Sequence, residues 1–177
     1  MKVVLVSGKA RHGKDTVAQL LYEELQFSGC KVLITHFADV LKYVCKNFLG
    51  WNGKKDEYGR QLLQYIGTDV VRKKYPSLWA DFIAIILDCF SDEWDCVIIP
   101  DCRFPNEIST ISEKGFETYH IRVVRPGFED ELTSEQRSHI SETALDEEIP
   151  DEYINNGGTL DDLKHSVSKF VKEKLYG

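Results

Sequence analysis

Val3-Val4-Leu5-Val6 is an unbroken apolar run rich in β-branched residues, running into Gly8. Such a run marks a strand covered on both faces, as in a parallel sheet. Beyond the turn that follows, Val17, Leu20, Leu21 and Leu25 recur at helical spacing until Ser28-Gly29 stops them. Lys31 to His36, centred on Val32-Leu33-Ile34, predicts a second strand, and Val97-Ile98-Ile99 a third that is fully buried. Phe116 to Val124, with Tyr119, Ile121, Val123 and Val124, predicts a fourth. Tyr153-Ile154 is a short fifth, ended by the turn Asn155-Asn156-Gly157-Gly158. Thr159 then reads as a helix N-cap with Asp162 at the third helical position, and Leu160, Leu163, Val167, Phe170, Val171 and Leu175 form one apolar stripe.

Strands alternating with helices predict an α/β fold, a five-stranded parallel sheet with right-handed crossovers. Two stretches exceed a plain crossover. Residues 38–92 are predominantly helical in pattern, and residues 125–150 are dense in charge and poor in core pattern, as a flap would be. A chain of 177 residues without a linker-like stretch is expected to form one domain. Its 22 Lys+Arg against 29 Asp+Glu give a net charge of -7, which argues against direct nucleic-acid or membrane binding but leaves room for a small anion in a local basic pocket. The five cysteines include no Cys-x-x-Cys pair, so reduced thiols are expected. The longest apolar run, Phe82 to Leu87, falls far short of the ~18 residues that span a bilayer. No signal-peptide pattern opens the chain, and a cytoplasmic location is expected.

Gly8-Lys9-Ala10-Arg11-His12-Gly13-Lys14 has the spacing G-x-x-x-x-G-K, directly after a buried strand and before a helix. In that setting the glycines let successive N–H groups curl around a phosphate, and the following helix points its positive end at the same oxygens. Lys14 would bridge the β- and γ-phosphates of ATP and neutralise charge as the γ-phosphoryl group loosens. Asp15 stands where a Ser/Thr is usual, with Thr16 one position later. Thr16 could take a phosphate oxygen or Mg²⁺; Asp15 could reach Mg²⁺ directly or through water, or only favour the helix N-terminus. Asp101 follows the third strand and Pro100, the place of a Walker B carboxylate at a strand's C-terminal end.

Gly8 to Thr16, together with Asp101-Cys102-Arg103-Phe104-Pro105-Asn106-Glu107, resembles the deoxynucleoside monophosphate kinase family typical of tailed phages and their prophages. Phe37-Ala38-Asp39, Leu62 to Thr68 with Arg72, and Ser141-Glu142-Thr143-Ala144-Leu145-Asp146 also resemble segments of that family, so that the likeness covers nearly the whole chain. Animal-type phosphomevalonate kinases share a similar Gly-Lys-Asp loop. The resemblance implies a P-loop kinase fold in which residues 38–92 bind the acceptor and residues 125–150 form a lid. It also implies ATP and Mg²⁺ as cofactors and a nucleoside monophosphate as acceptor. Asp39 enters the acceptor site through this likeness, and Asn155, Asn156 and Gly158 lie where adenine often stacks in related kinases, with an ordinary turn as the alternative.

The residue chemistry agrees with an anionic acceptor. Arg60 and Gln64 lie four apart on one helix face. Arg72, twelve residues beyond Arg60, falls a third of a turn off that face at ~100° per residue, so a break at Gly67 is expected if both are to meet one ligand. Solvated surface charge is the equal alternative for each. Arg103, two residues past Asp101, offers a planar fork suited to phosphate. In the flap, Arg125 and Arg137 are the candidates for closing over the phosphates, with salt bridges to the flap's own acids as the alternative, while Arg122 is expected to end its strand. His139 is expected to pack or face solvent. The expected activity is transfer of the γ-phosphoryl group of ATP to a (deoxy)nucleoside monophosphate. The alternatives are a kinase of another small phosphorylated acceptor, or a nucleotide-binding regulator without transfer; a homodimer is possible.

Overall fold

Lys2–Ser7 forms strand β1, and Val3, Val4, Leu5 and Val6 are wholly buried. In the computed structural model, which describes residues 1–54, 56–129 and 132–176, the run is apolar throughout because helices cover both faces. Val3 and Leu5 point to one layer, Val4 and Val6 to the other. The remaining strands are β2 (Val32–Ile34), β3 (Cys96–Ile99), β4 (Glu117–Val124) and β5 (Glu152–Asn155), all parallel in the order β2-β3-β1-β4-β5.

Helix α1 (Lys14–Phe27) and helix α8 (Leu160–Phe170) cover one face, through Val17, Leu21, Leu25, Leu163, Val167 and Phe170. Helix α8 starts as its sequence predicts: Thr159 accepts from the Asp162 N–H, and the Asp162 carboxylate accepts from the Thr159 N–H at 2.8 Å. Leu160 departs from the expected stripe; at the first helical position it lies 54% exposed. The other face carries helices α2 (Asp39–Phe48), α4 (Leu78–Cys89) and α5 (Pro105–Glu113), through Leu41, Cys45, Ile83, Leu87 and Ile111. From β1 the chain turns toward β2, and from β3 it crosses to β4 on the other side. The C-terminal ends of β1 and β3 therefore border the switch point where such sheets bind ligands.

The long segment between β2 and β3 is helical, as expected, but it does not break at Gly67. Helix α3 (Glu57–Gln64) runs on into a π-helical turn, Tyr65–Arg72. Hydrogen bonds reaching five residues back widen the turn, so each residue advances less around the axis than in an α-helix. This brings Arg72 back toward the side that faces the sheet. Gly67 permits it: a Cβ there would lie 2.6 Å from Leu41 Cδ2, and its carbonyl accepts from Trp79 Nε1 at 3.1 Å. The segment 125–150, of which residues 130 and 131 lie outside the described residues, contains the short helices α6 (Ser134–Ser138) and α7 (Ile140–Thr143). No helix among the described residues is long and apolar enough to cross a membrane, and the five cysteines are free.

Gly8 is where β1 becomes the loop, with φ +141° and a position at which a Cβ would sit 2.4 Å from the Val123 carbonyl oxygen of β4. A Gly8→Ala variant is expected to lose more than about 1 kcal/mol of stability, because both the angle and the contact resist a side chain. Urea unfolding measures this; wild-type stability would mean that loop and strand do not pack so closely.

Candidate functional site

The loop from Gly8 to Gly13 bends sharply at three residues with positive φ: Gly8, Arg11 at 60° and Gly13 at 95°. Arg11 is the non-glycine among them, and strain of this kind is kept where surrounding structure enforces it. Gly13 is the N-cap of α1 and supplies no side-chain cap, so the first N–H groups of the helix remain available to an anion. Lys14 folds back over the loop, donating to Gly8 O at 2.8 Å and Lys9 O at 2.9 Å. Burial, and next the charge of Arg103, pull its ammonium down to about 8 against the opposing pull of Glu142, Asp15 and Asp101.

A cavity of about 330 Å³ opens beside this loop at the ends of β1 and β3. Ala10, Arg11, Lys14, Asp15, Arg60, Gln64, Arg72, Asp101 and Arg103 all line it, so most of the expected phosphate and acceptor residues share one space. Phe37, Leu41, Trp79 and Phe104 supply apolar wall. Asp101 sits at the strand end as expected, with its two oxygens accepting from Phe37 N–H at 2.9 Å and Ala38 N–H at 3.1 Å, so it ties the end of β3 to the start of α2.

Arg72 is not a solvated charge. It donates to Glu107 Oε1 at 2.6 Å and to Asn106 Oδ1 at 3.0 Å, and its guanidinium stacks 3.8 Å from the centre of the Phe104 ring. Glu107 is buried, and its other oxygen accepts from the N–H groups of Arg103 at 2.7 Å and Phe104 at 3.0 Å. Burial pushes this carboxyl up to about 7, against the pull of Arg72 and the Arg103 amide. The pattern Phe104-Pro105-Asn106-Glu107 is a helix start, with Pro at the first position and Glu at the third reaching back to cap the chain. The motif Asp101 to Glu107 contains this start, but nothing local in it predicts that the Glu107 carboxylate is buried against Arg72.

Other expected residues lie elsewhere. Asp39, Thr16, Arg125 and Arg137 are not among the residues lining the cavity. The Asp39 carboxylate accepts from His36 and from Lys42, hydrogen bonds that hold it well below its ordinary range despite the desolvation that opposes them. Thr16 is exposed on α1, one residue past the turn that faces the cavity. Arg125 stacks 4.5 Å from the Phe128 ring, which meets His12 edge-on. It therefore lies on the far side of the loop, where Asn156 Nδ2 donates to His12 O at 2.9 Å and Gly157 adjoins Pro126. Gly158 is next to these, over the Asp162 side chain. Arg137 donates weakly to Leu132 O at 3.4 Å, and its neighbour Gln136 lines the cavity instead. His139 caps α7, with Nδ1 accepting from Ser141 N–H at 3.2 Å.

Lys9, Glu142 and Asp146, for which the sequence predicts no role, also meet beside the loop. Lys9 Nζ donates to Glu142 O at 2.6 Å and to both Asp146 oxygens at 2.6 and 2.7 Å. Arg122, on β4, reaches Leu145 O and pairs with Asp146 at 2.6 Å. Against the desolvation that raises it, hydrogen bonds from Lys9 and Arg122 hold the Asp146 carboxyl below its ordinary range. The segment 141–146 is thereby latched to the loop across some 130 positions of chain, and Arg103 donates to its Ser141 O at 2.9 Å. The run Ser141 to Asp146 was visible as a segment, but nothing local says which of many acids in 125–150 docks.

For Mg²⁺, no group of three or more His, Cys, Asp or Glu among the described residues could hold a metal ion by itself. Asp15 and Asp101 do face the same cavity as Lys14. That donor set fits an ion held chiefly by substrate phosphates and water, with one or two protein carboxylates.

Residues 49–167 match a family described as deoxynucleotide monophosphate kinase. The chain is 31% identical over 124 residues to the deoxynucleotide monophosphate kinase of Enterobacteria phage T4, a span covering 68% of this chain and 48% of that protein. It is 30% identical over 167 residues to a relative from Acanthamoeba polyphaga mimivirus, with 80% of each chain covered. The matched span is about half the length of the phage relatives. Among solved structures, the APS kinase of Mycobacterium tuberculosis aligns over 97% of both chains with a TM-score of 0.54 at 12% identity. That likeness is one of fold, and the parallel sheet flanked by helices is the P-loop kinase arrangement.

The Arg72–Glu107 pair sets a measurable stability. Glu107→Ala strands a guanidinium that is 12% exposed and frees two backbone N–H groups, so a loss of about 3 to 5 kcal/mol is expected in urea unfolding. A loss below about 1 kcal/mol, the level of an exposed pair, would contradict the burial of this carboxylate.

Proposed function

The chain belongs to the deoxynucleotide monophosphate kinase family, and from that premise we propose that it transfers the γ-phosphoryl group of ATP to a deoxynucleoside monophosphate. The observation that carries this is the convergence of Lys14 and Arg103 on one cavity that also holds Arg60 and Gln64 against apolar walls. The cations match two phosphate groups, and Phe37, Trp79 and Phe104 offer flat apolar surface to a base.

In the proposed reaction an oxygen of the acceptor phosphate forms a bond to the γ-phosphorus as the bond to the β-phosphate oxygen breaks, releasing ADP. Loop N–H groups and the N-terminus of α1 hold the ATP phosphates, while Lys14 balances charge on the transferring group. Arg103 holds the acceptor phosphate in line, and Arg60 and Gln64 orient the rest of the acceptor. Arg72 acts through Glu107, keeping the Arg103 backbone in place. Asp15 and Asp101 would hold Mg²⁺, which would supply positive charge to offset that of the phosphates. The segment 125–150 serves as the lid that excludes water.

ADP release, coupled to an indicator reaction and run over a panel of deoxy- and ribonucleoside monophosphates, tests the assignment. At least one deoxynucleotide should be phosphorylated; retention of ATP binding with no monophosphate accepted would overturn the reading. Lys14→Ala should lower kcat by about a hundredfold or more, and Arg103→Ala should raise the acceptor KM.

The lowered Lys14 pKa adds a pH dependence. Phosphate favours the charged amine, which before binding is lost as pH rises through about 8. ADP affinity should therefore fall between pH 8 and pH 9.5, by up to about tenfold per pH unit. Calorimetric titration reads this directly, and a flat profile would show that Lys14 keeps its proton.

A further inference from the structure

The phosphate loop holds an anion of the protein's own. The Glu142 side chain is 6% exposed, and its oxygens are divided between the loop and the acceptor arginine. One accepts from Ala10 N–H at 3.1 Å; the other pairs with the Arg103 guanidinium. A loop amide and a guanidinium are the donors that phosphate oxygens take in such sites, and a carboxylate is the side-chain group closest to phosphate in that respect. Lys9, bound to Glu142 O and Asp146, and Arg122, bound to Asp146, fasten the segment that carries it. Glu142 is also among the charges acting on Lys14, which places its negative charge beside the amine assigned to the γ-phosphate.

We propose that Glu142 is an internal competitor for the seat of the transferring phosphate, a positioning residue that keeps Arg103 and residues 141–146 registered on the loop until a nucleoside triphosphate displaces it. The proposal rests on the phosphoryl-transfer reading above. The Ala10 N–H is a single donor that cannot serve a phosphate oxygen and the carboxylate together, and the two anions repel at that distance, so the arriving phosphate expels the carboxylate. Expulsion releases Arg103, which becomes available to the acceptor phosphate. Triphosphate binding and acceptor recognition are thus coupled through a single side chain, and the acceptor arginine is held back until the donor is in place.

The test is calorimetric titration of a non-hydrolysable ATP analogue with Mg²⁺ into wild-type protein, Glu142→Gln and Glu142→Asp. If the carboxylate occupies its seat about nine-tenths of the time, removing its charge should tighten analogue binding about tenfold. ADP, which lacks the outermost phosphate, should gain much less. Glu142→Asp keeps the charge but is one methylene too short to reach both donors, and should gain in the same direction. It serves as the second variant should Glu142→Gln not fold, with thermal melting as the check. Structural damage would weaken binding, so a gain is not open to that explanation. Unchanged or weaker analogue binding in the folded variants overturns the proposal, as does an equal gain for ADP. Failure of the wild-type protein to bind the analogue would instead overturn the phosphoryl-transfer reading. Binding and transfer by the wild type without a gain in the variants would leave that reading standing and remove only this one.

Discussion

The carboxylate of Glu107 accepts from Arg72 on one oxygen and from the N–H groups of Arg103 and Phe104 on the other, all within the protein interior. One buried anion thus joins the π-helical turn to the end of β3 and the start of α5. A charge in that position is tolerated only when its partners are complete, so the three elements are held to one mutual geometry. The Arg103 side of the cavity follows from it. Arg103 projects from a backbone fixed at two consecutive N–H groups, and Phe104 is pinned beneath the Arg72 guanidinium.

The sheet was legible in the sequence because both of its faces are covered, which leaves continuous apolar runs at Val3 to Val6 and Val97 to Ile99. The phosphate loop was legible for a different reason: its function depends on backbone shape, and that shape demands glycines at fixed spacing. The helix start at Thr159 is local chemistry and could be read directly. What could not be read was the docking of residues 125–150. Arg125 and Arg137 have the right charge in the right segment, yet the latch is made by Lys9, Arg122, Glu142 and Asp146. Those contacts join residues more than twenty, and in part more than 130, positions apart, and no local pattern separates Glu142 from the other acids around it.

The acidic surface and the basic cavity are two parts of one electrostatic arrangement. A net charge of -7 repels polyanions at long range, while Lys14, Arg60, Arg72 and Arg103 face a space of about 330 Å³. Small, multiply charged solutes fit that combination because they can be enclosed by the cations once inside. In and beside the cavity, carboxylates partner much of the positive charge already: Glu107 takes Arg72 and Glu142 takes Arg103 along its wall, and Asp146 takes Lys9 and Arg122 behind the loop. The cations are therefore held in fixed positions by anions of two kinds, one buried for good and one at the loop.

The π-helical turn Tyr65–Arg72 also carries an evolutionary consequence. A widened turn is what remains when a helix accommodates one residue more than its regular winding would hold. Deleting a residue from the α-helical stretch ahead of that turn, between Arg60 and Gln64, would keep the local hydrogen bonding regular and cost little locally. It would also swing every later side chain by ~100° and carry Arg72 away from Glu107. Along this stretch the number of residues is under as strong a constraint as their identity, and an insertion or deletion that a helix elsewhere could absorb would here sever the helical insertion from the strand end it is joined to.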